Sequence, residues 1–332
     1  MSIKEKLEEI ELKTLSPVAA LSKNSKGRRF PDDQCNLRTV YQVDRDRVIH
    51  SKSFRRLKHK TQVFVCPRGD HYRTRLTHTL EVSQIARTLA KSLFLNEDLA
   101  EAIALSHDLG HTPFGHDGET VLNELSDCGF KHFEQSLRVV DFLEKNGKGL
   151  NLTYEVRDGI LNHTRGGWPK TIEGRLVRLA DRIAYVNHDI DDAIRANVMT
   201  TADLPVDVLH VLGDTKTKRI NALIKSIVEN SKGEEICMSN EVQKAFDILH
   251  SFMYEFVYTN MESKKESVKV PALITGLYNY FTSHPDKLPH QMKLIAEKES
   301  LNRAVCDYIA GMTDYFAINL FESIFIPKSW NI

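Results

Sequence analysis

The stretch from His107 to Glu119, His-Asp-Leu-Gly-His-Thr-Pro-Phe-Gly-His-Asp-Gly-Glu, restricts what this chain can fold into more than any other part of it. It sets three histidines and three acids into thirteen residues of a chain with 14 histidines in 332. Imidazole and carboxylate are donors that borderline divalent metals prefer, and imidazole also moves protons near neutral pH. So dense a set reads as a site. The preceding run, Asn96 to Ser106, opens with a capping Asn and first-turn acids and repeats its apolar residues at helical spacing. His107 and Asp108 therefore fall at the C-terminal end of a helix. Gly110, Pro113 and Gly115 then break it and hold His111 and His116 on a tight loop.

Neighbouring side chains on a helix point about 100° apart, so other elements must complete any metal site around His107 and Asp108. Two stretches are suited to this. One runs from Arg73 into a long helix that carries His78 in its first turn, with Leu80, Ile85, Leu89 and Leu93 recurring every three to five residues. The other, Leu179 to Asp192, puts Asp181, Tyr185, His188, Asp189 and Asp192 on one stripe, opposite Ile183, Val186, Ile190 and Ile194. Taken alone, a helix polar on one face is more often simply solvated.

Helical spacing prevails along the rest of the chain, and the expected fold class is all-α. The one strand-like run, Gln62 to Cys66, allows at most a small β-hairpin near residues 62–72. A basic N-terminal segment (1–60), a core (61–200) and a C-terminal helical subregion packed on it (201–332) are expected, with only Pro205 marking the second boundary. Helices are expected over 217–230, 240–259, 269–282 and 300–321. The 45 basic and 45 acidic residues balance, which excludes a whole-molecule field for nucleic acid or anionic membrane. Between Phe54 and Arg75, however, seven cations face the single acid Asp70, which makes a local anion-binding face. Five cysteines without a C-x-x-C pair indicate neither a disulfide framework nor a zinc cluster, and fit a reducing cytoplasm. No apolar run approaches the roughly 18 residues of a membrane span.

The order His78, His107-Asp108, Asp181 resembles the H…HD…D pattern of the HD-domain metal phosphohydrolases. Four longer words, His50 to Gln62, Asp70 to Glu81, His107 to His116 and Ala180 to Asp189, are similar to the deoxyguanosine triphosphate triphosphohydrolase-like branch of that superfamily. The resemblance runs from about Gly27 to Asp192. It implies a helical HD core, a divalent cofactor held by His78, His107, Asp108 and Asp181, and hydrolysis of deoxynucleoside triphosphates to deoxynucleoside and tripolyphosphate. Mn²⁺, Mg²⁺ or Fe²⁺ suit two imidazoles and two carboxylates, with Ni²⁺ or Zn²⁺ conceivable in purified samples. The resemblance also implies a homo-oligomer, tetrameric or hexameric, regulated in some members by nucleotide or single-stranded DNA.

His116 and Glu119, three apart at a helix start, suit a carboxylate-supported proton-transfer group. The resemblance marks both as catalytic. His111 and His132 match family histidines near the phosphates, although a histidine capping a backbone carbonyl is an equal alternative for either. Arg75, one turn before His78, is the first choice for a phosphate contact, followed by Arg56, Lys58 and Arg182; a solvated charge is the common fate of any one of them. In animal deoxynucleotide triphosphohydrolases an aromatic ring stacks on the deoxyribose while an Asp and a Gln bind its 3′-hydroxyl. Tyr185, Asp189 and Gln62 stand at the matching positions. Two other expectations compete with triphosphohydrolysis: another HD phosphohydrolase, such as a nucleotidase or phosphodiesterase, and a nucleotide- or single-strand-binding regulator with little or no turnover.

Overall fold

The computed structural model describes residues 1–33, 35–62, 73–165, 167–258 and 266–328. Among these residues the architecture is all-α, with three isolated β-bridges and no sheet. The hairpin expected near 62–72 lies, from residue 63 on, outside the described residues. Among the described residues an isolated antiparallel bridge joins Thr61 and Thr74.

The Glu97–Ser106 helix is the innermost element. Asn96 caps it by accepting from the Leu99 N–H at 3.1 Å, and Glu97 and Asp98 complement the positive end of its dipole. Leu99, Ala100, Ala102, Ile103, Ala104 and Leu105 leave it apolar nearly all round, and such a helix is stable only when enclosed. The helices Val40–Ile49, Arg75–Ser92, Tyr154–Asn162 and Ile172–Arg195 pack around it. Each large apolar side chain buried here contributes about 1.5–3 kcal/mol.

The Arg75–Ser92 helix buries Ile85 and Leu89 of the expected stripe, with Leu93 packed against the core, and adds Val82 and Ala86, while Leu80 is half exposed. The exception at Leu80 follows from its polar neighbours: with His78 and Thr79 turned inward, the buried row continues at Val82. On the 24-residue Ile172–Arg195 helix, Ile183, Val186 and Ile190 join the core, while the polar stripe packs against the Arg75–Ser92 helix instead of facing water. His188, Asp189 and Asp192 are buried there, and Arg73 ties the two helices by reaching Glu81 at 3.0 Å and Asp192 at 2.9 Å.

A second apolar cluster joins Phe114, Val121, Leu122 and Phe130 to Ile274, Leu277, Phe281, Val305, Ile309 and Ala317. The expected helix over 300–321 is in fact two, Leu301–Ala310 and Asp314–Phe325, broken at Gly311–Thr313. Short helices Val206–Leu212 and His290–Lys298 were not anticipated. The π-helical turn Tyr254–Tyr258 continues the Asn240–Met253 helix. Among the described residues no helix is long and apolar enough to cross a membrane.

Candidate metal centre and active site

Three helices bring the metal-type donors together. His78 sits in the first turn of Arg75–Ser92, His107 caps the C-terminus of Glu97–Ser106, and Asp181 lies in the middle of Ile172–Arg195. His78 Nε2 is 3.1 Å from Asp181 Oδ1, and His107 Nε2 is 3.7 Å from that same oxygen and 3.6 Å from Asp108 Oδ1. Ligand atoms of His78, His107 and Asp108 lie within 4.8 Å of one another. His107 Nδ1 donates to the Ala104 carbonyl at 2.7 Å, which fixes the tautomer and leaves Nε2 as a lone-pair donor. That nitrogen is buried without a hydrogen-bond partner, an arrangement expensive for a structural histidine and natural for a ligand. The donor set fits a divalent cation.

The electrostatics agree with that fit. Burial works against both carboxylates, but the charges of His107 and Arg75 hold Asp108 well below the usual range. Asp181 is likewise lowered, chiefly by its bond to His78, despite burial. Burial is the largest single influence on His78 and opposes its charge, but the Asp181 bond together with the Asp181 and Asp108 charges raises this imidazole above its ordinary value.

From this centre a row of imidazoles runs outward. Ring centroids are 5.8 Å apart for His78 and His107, 4.9 Å for His107 and His163, and 5.4 Å for His163 and His132. His132 stacks on His111 at 4.4 Å, and His111 meets His116 edge-on at 5.0 Å. Glu119 anchors the outer end. Its Oε2 is 2.9 Å from His116 Nδ1, while its Oε1 takes the His132 backbone N–H at 2.7 Å and lies 2.9 Å from His132 Nδ1. Burial raises the Glu119 pKa, but the bonds to His116 and His132 prevail and press it far below the carboxylate range. His116, its side chain 75% exposed, presents the rest of its ring to the open side. His111 is buried, and burial together with the Arg75 and His132 charges keeps it neutral.

Two glycines make the loop possible. A β-carbon on Gly110 would stand 2.1 Å from the Ser136 backbone nitrogen, so only glycine lets the loop touch the His132–Arg138 helix. Gly115, at φ 60°, leaves room for Arg75 Nη2, which a β-carbon would meet at 3.1 Å. Phe114 is itself left-handed (φ 62°), a conformation costing about 1–3 kcal/mol. Its N–H donates to Asp314 Oδ1 at 3.0 Å, and its ring lies in the second apolar cluster. Asp314 Oδ2 also accepts from the Thr61 N–H at 2.8 Å and from its hydroxyl. Buried Lys60 donates to the carbonyls of His111 and Ala310.

The cations are placed differently from the expectation. Arg75 is buried with Nη1 on Asp108 Oδ2 at 2.6 Å, so its nearest partner is that carboxylate. Arg56 and Lys58 are exposed, and no hydrogen bond or ion pair among the described residues joins them to the histidine row. Arg56 lines a separate cavity of about 110 Å³ behind the loop, with Lys60, Gly110 and Asp307. Arg182 lies over the Phe246 ring at 5.4 Å and 3.9 Å from Asp247, facing the Asn240–Met253 helix. Tyr185, one turn on from Asp181, is half-buried and edge-on to His250 at 6.0 Å; burial, then the Asp181 charge, raises its hydroxyl pKa. Asp189 is buried one turn further along. The Gln62 amide oxygen is buried without a partner, with the residue's carbonyl close to Gly115. His163 was missed by sequence reasoning, as were Lys60 and Asp314.

An HD domain model matches residues 75–186, and a phosphohydrolase-associated domain model matches 236–323. A deoxyguanosinetriphosphate triphosphohydrolase-like protein of Caldanaerobacter subterraneus subsp. tengcongensis is 55% identical over 331 residues, covering 99% of this chain and 98% of that one. The chain belongs to the deoxyguanosinetriphosphate triphosphohydrolase-like family. Relatives of the same name from Clostridium perfringens (strain SM101) and Clostridium tetani are 49% and 48% identical, each covering 99% of this chain and, respectively, 99% and 97% of the relative. A solved structure of a hypothetical protein from Aquifex aeolicus aligns with a TM-score of 0.48 at 21% identity, over 85% of this chain and 71% of that one. The HD match spans His78, both residues of His107-Asp108, and Asp181, and the chain is a hydrolase of the HD class.

Proposed function

We propose that this chain hydrolyses deoxynucleoside triphosphates at the α-phosphorus, releasing the deoxynucleoside and intact tripolyphosphate, with dGTP the first substrate to try because its relatives are named for it. The carrying observation is the pairing of His116 with Glu119 at 2.9 Å, at the open end of a histidine row that leads back to four metal-type donors. His78, His107, Asp108 and Asp181 would hold the cofactor, and two imidazoles beside two carboxylates favour Mn²⁺ or Fe²⁺ over Mg²⁺. When bound, a divalent ion there polarises a phosphate oxygen and acidifies water. In the reaction a water oxygen bonds to the α-phosphorus and the bond from phosphorus to the 5′-oxygen breaks; one water proton stays on the new P–OH and the other replaces the proton that His116 gives up. His116 gives the leaving 5′-oxygen its proton, and Glu119 holds the imidazole by Nδ1 so that Nε2 faces the substrate. His111 and His132 bind the phosphates from the wall behind, and Arg75 serves them through the guanidinium nitrogens not engaged by Asp108. Tyr185, Asp189 and Gln62 take the sugar side, next to Asp181 and Gly115. Arg182, partly buried over Phe246, and the outlying Arg56 and Lys58 act on the polyphosphate only by long-range charge. The free thiols of Cys35, Cys128, Cys237 and Cys306 suit a reducing cytoplasm.

Product analysis of the Mn²⁺-loaded protein on each dNTP tests the reading. Tripolyphosphate and deoxynucleoside in equal amounts are expected. Pyrophosphate with monophosphate, orthophosphate, or activity confined to monophosphates or cyclic nucleotides would overturn it.

A further inference from the structure

We propose that Cys128 and Cys306 form a thiol-modification site that a hydroperoxide converts into a disulfide, and that closing this bond shifts the turn leading into His132 and lowers turnover. The pair lies apart from the metal-type donors and the histidine row. Its effect on turnover rests on the reading of His116, Glu119 and His132 as parts of the active site; its formation does not.

The turn from Ser126 to Lys131 joins the Gly115–Leu125 helix to the His132–Arg138 helix. It crosses one face of the Leu301–Ala310 helix, where the Asn302 amide donates to the Asp127 carboxylate. Cys306 is one turn further along that face. The Ser126 hydroxyl lies 3.2 Å from Cys128 Sγ and hydrogen-bonds Cys306 as well, so a single hydroxyl separates the two sulfurs. Cys306 is buried in the second apolar cluster, whereas Cys128 is exposed. Tyr278 of the same cluster has a buried hydroxyl without a hydrogen-bond partner. Burial, then the charges of Cys306, Asp127 and Cys128, raise its pKa, which places it beside both thiols. A buried phenol left unpaired is costly, and this one is positioned to donate to an oxygen carried on sulfur.

Access divides the chemistry between the two thiols. Cys128 meets solvent and reacts first: its sulfur takes one oxygen of the hydroperoxide to become a sulfenic acid, and the remainder leaves as an alcohol or, from hydrogen peroxide, as water. Cys306 then attacks that sulfur. The S–S bond forms, the S–O bond breaks, and the hydroxyl departs with the Cys306 proton as water, so the two thiols have given two electrons to the peroxide. Burial pushes the Cys306 thiol up to about 11 against the opposing Ser126 bond, which keeps it protonated until an oxidised sulfur stands beside it.

A disulfide needs its sulfurs about 2.05 Å apart, so the Ser126 hydroxyl must swing out and the turn must close on the helix. His132 follows directly on that turn, and Glu119 holds both its N–H and its ring. Drawing the turn toward Cys306 therefore pulls on the connection from His132 through Glu119 to His116. The four metal-type donors stand on other elements and keep their places.

The test treats reduced, Mn²⁺-loaded full-length protein with a small excess of hydrogen peroxide, alkylates the remaining thiols, and reads intact and tryptic masses. Expected are a loss of about 2 Da before alkylation and a peptide joining Cys128 to Cys306. With them, kcat should fall about fivefold or more at unchanged metal content, and dithiothreitol should restore it. Cys128→Ser should keep the reduced kcat and resist peroxide. Cys306→Ala should stop at a sulfenic or sulfinic acid on Cys128, and Cys128→Ser alone decides if Cys306→Ala does not fold. A Cys306 still alkylated on unfolding after peroxide, or a Cys128→Ser protein inactivated like wild type, overturns the proposal. So does a Cys128–Cys306 bond that leaves kcat unchanged. Should the reduced protein hydrolyse no dNTP, the catalytic reading falls by itself, and the masses still decide whether the site exists.

Discussion

Glu119 serves two histidines at once, and the division of labour between them can be read from single substitutions. His116→Ala leaves the buried donors and the Glu119–His132 bond in place, so metal content should stay at the wild-type level while kcat falls about 10²-fold or more. Asp181→Ala removes the oxygen that meets both His78 and His107; turnover and bound metal should be lost together with helical content unchanged. Elemental analysis beside steady-state kinetics separates the two, and an Asp181→Ala protein with full metal would contradict the ligand assignment. Lys60 offers a pH test. Burial, then the Arg56 charge, lowers its pKa to about 7, against an unfolded value of about 10.4. Between these values the unfolded chain holds a proton that the folded one has released, so this group makes stability rise with pH, by at most about 1.4 kcal/mol per unit. Urea midpoints measured from pH 7 to 9 should rise less steeply in Lys60→Met than in wild type, and equal slopes would refute the shift. At this scale His107 was legible because acids and glycines crowd its helix end. His163 ends its helix in the same way, but the Gly-Gly-Trp-Pro that follows has no ligand-type residue to draw attention to it.

Helix identity and capping were legible where the signal is local, as at Asn96 or along the polar stripe from Asp181 to Asp192. What depends on a distant partner was not. The break at Gly311–Thr313 is invisible in a run that keeps helical spacing, because it exists to turn Asp314 toward Thr61 and Phe114, 253 and 200 residues away. The inward turn of His78, which leaves Leu80 outside, is set by Asp181 on another helix, and the basic word from Arg55 to Lys60 does not show that Lys60 is buried against the loop while Arg56 and Lys58 stay exposed. Asp314→Ala would strand three buried donors, each worth about 1–3 kcal/mol when left unpaired. A loss of several kcal/mol in denaturant titration is expected, with kcat reduced more than metal content because the freed loop carries His116. An Asp314→Ala protein as stable and as active as wild type would refute the latch.

For the whole molecule, a cation at the His78–Asp181 centre would fasten three helices of the first core. Binding to the folded state alone contributes RT ln(1 + [L]/Kd), about 2.7 kcal/mol at a hundredfold excess over Kd. Chelation should therefore lower the thermal midpoint by several degrees, and adding Mn²⁺ should restore it; identical melting curves with and without chelator would argue against a resident ion. The active-site loop lies at the seam of the two apolar clusters, with Leu109 in one and Phe114 in the other. Its latch, Ala310 and Asp314, comes from the far end of the chain, whereas the last proposed metal donor is Asp181. In vectorial synthesis the donors leave the ribosome long before the latch does. A nascent chain can thus possess every group that would attract a cation and still lack the means to hold the His116 loop in place, so catalytic competence would wait until residues 310–314 have been made.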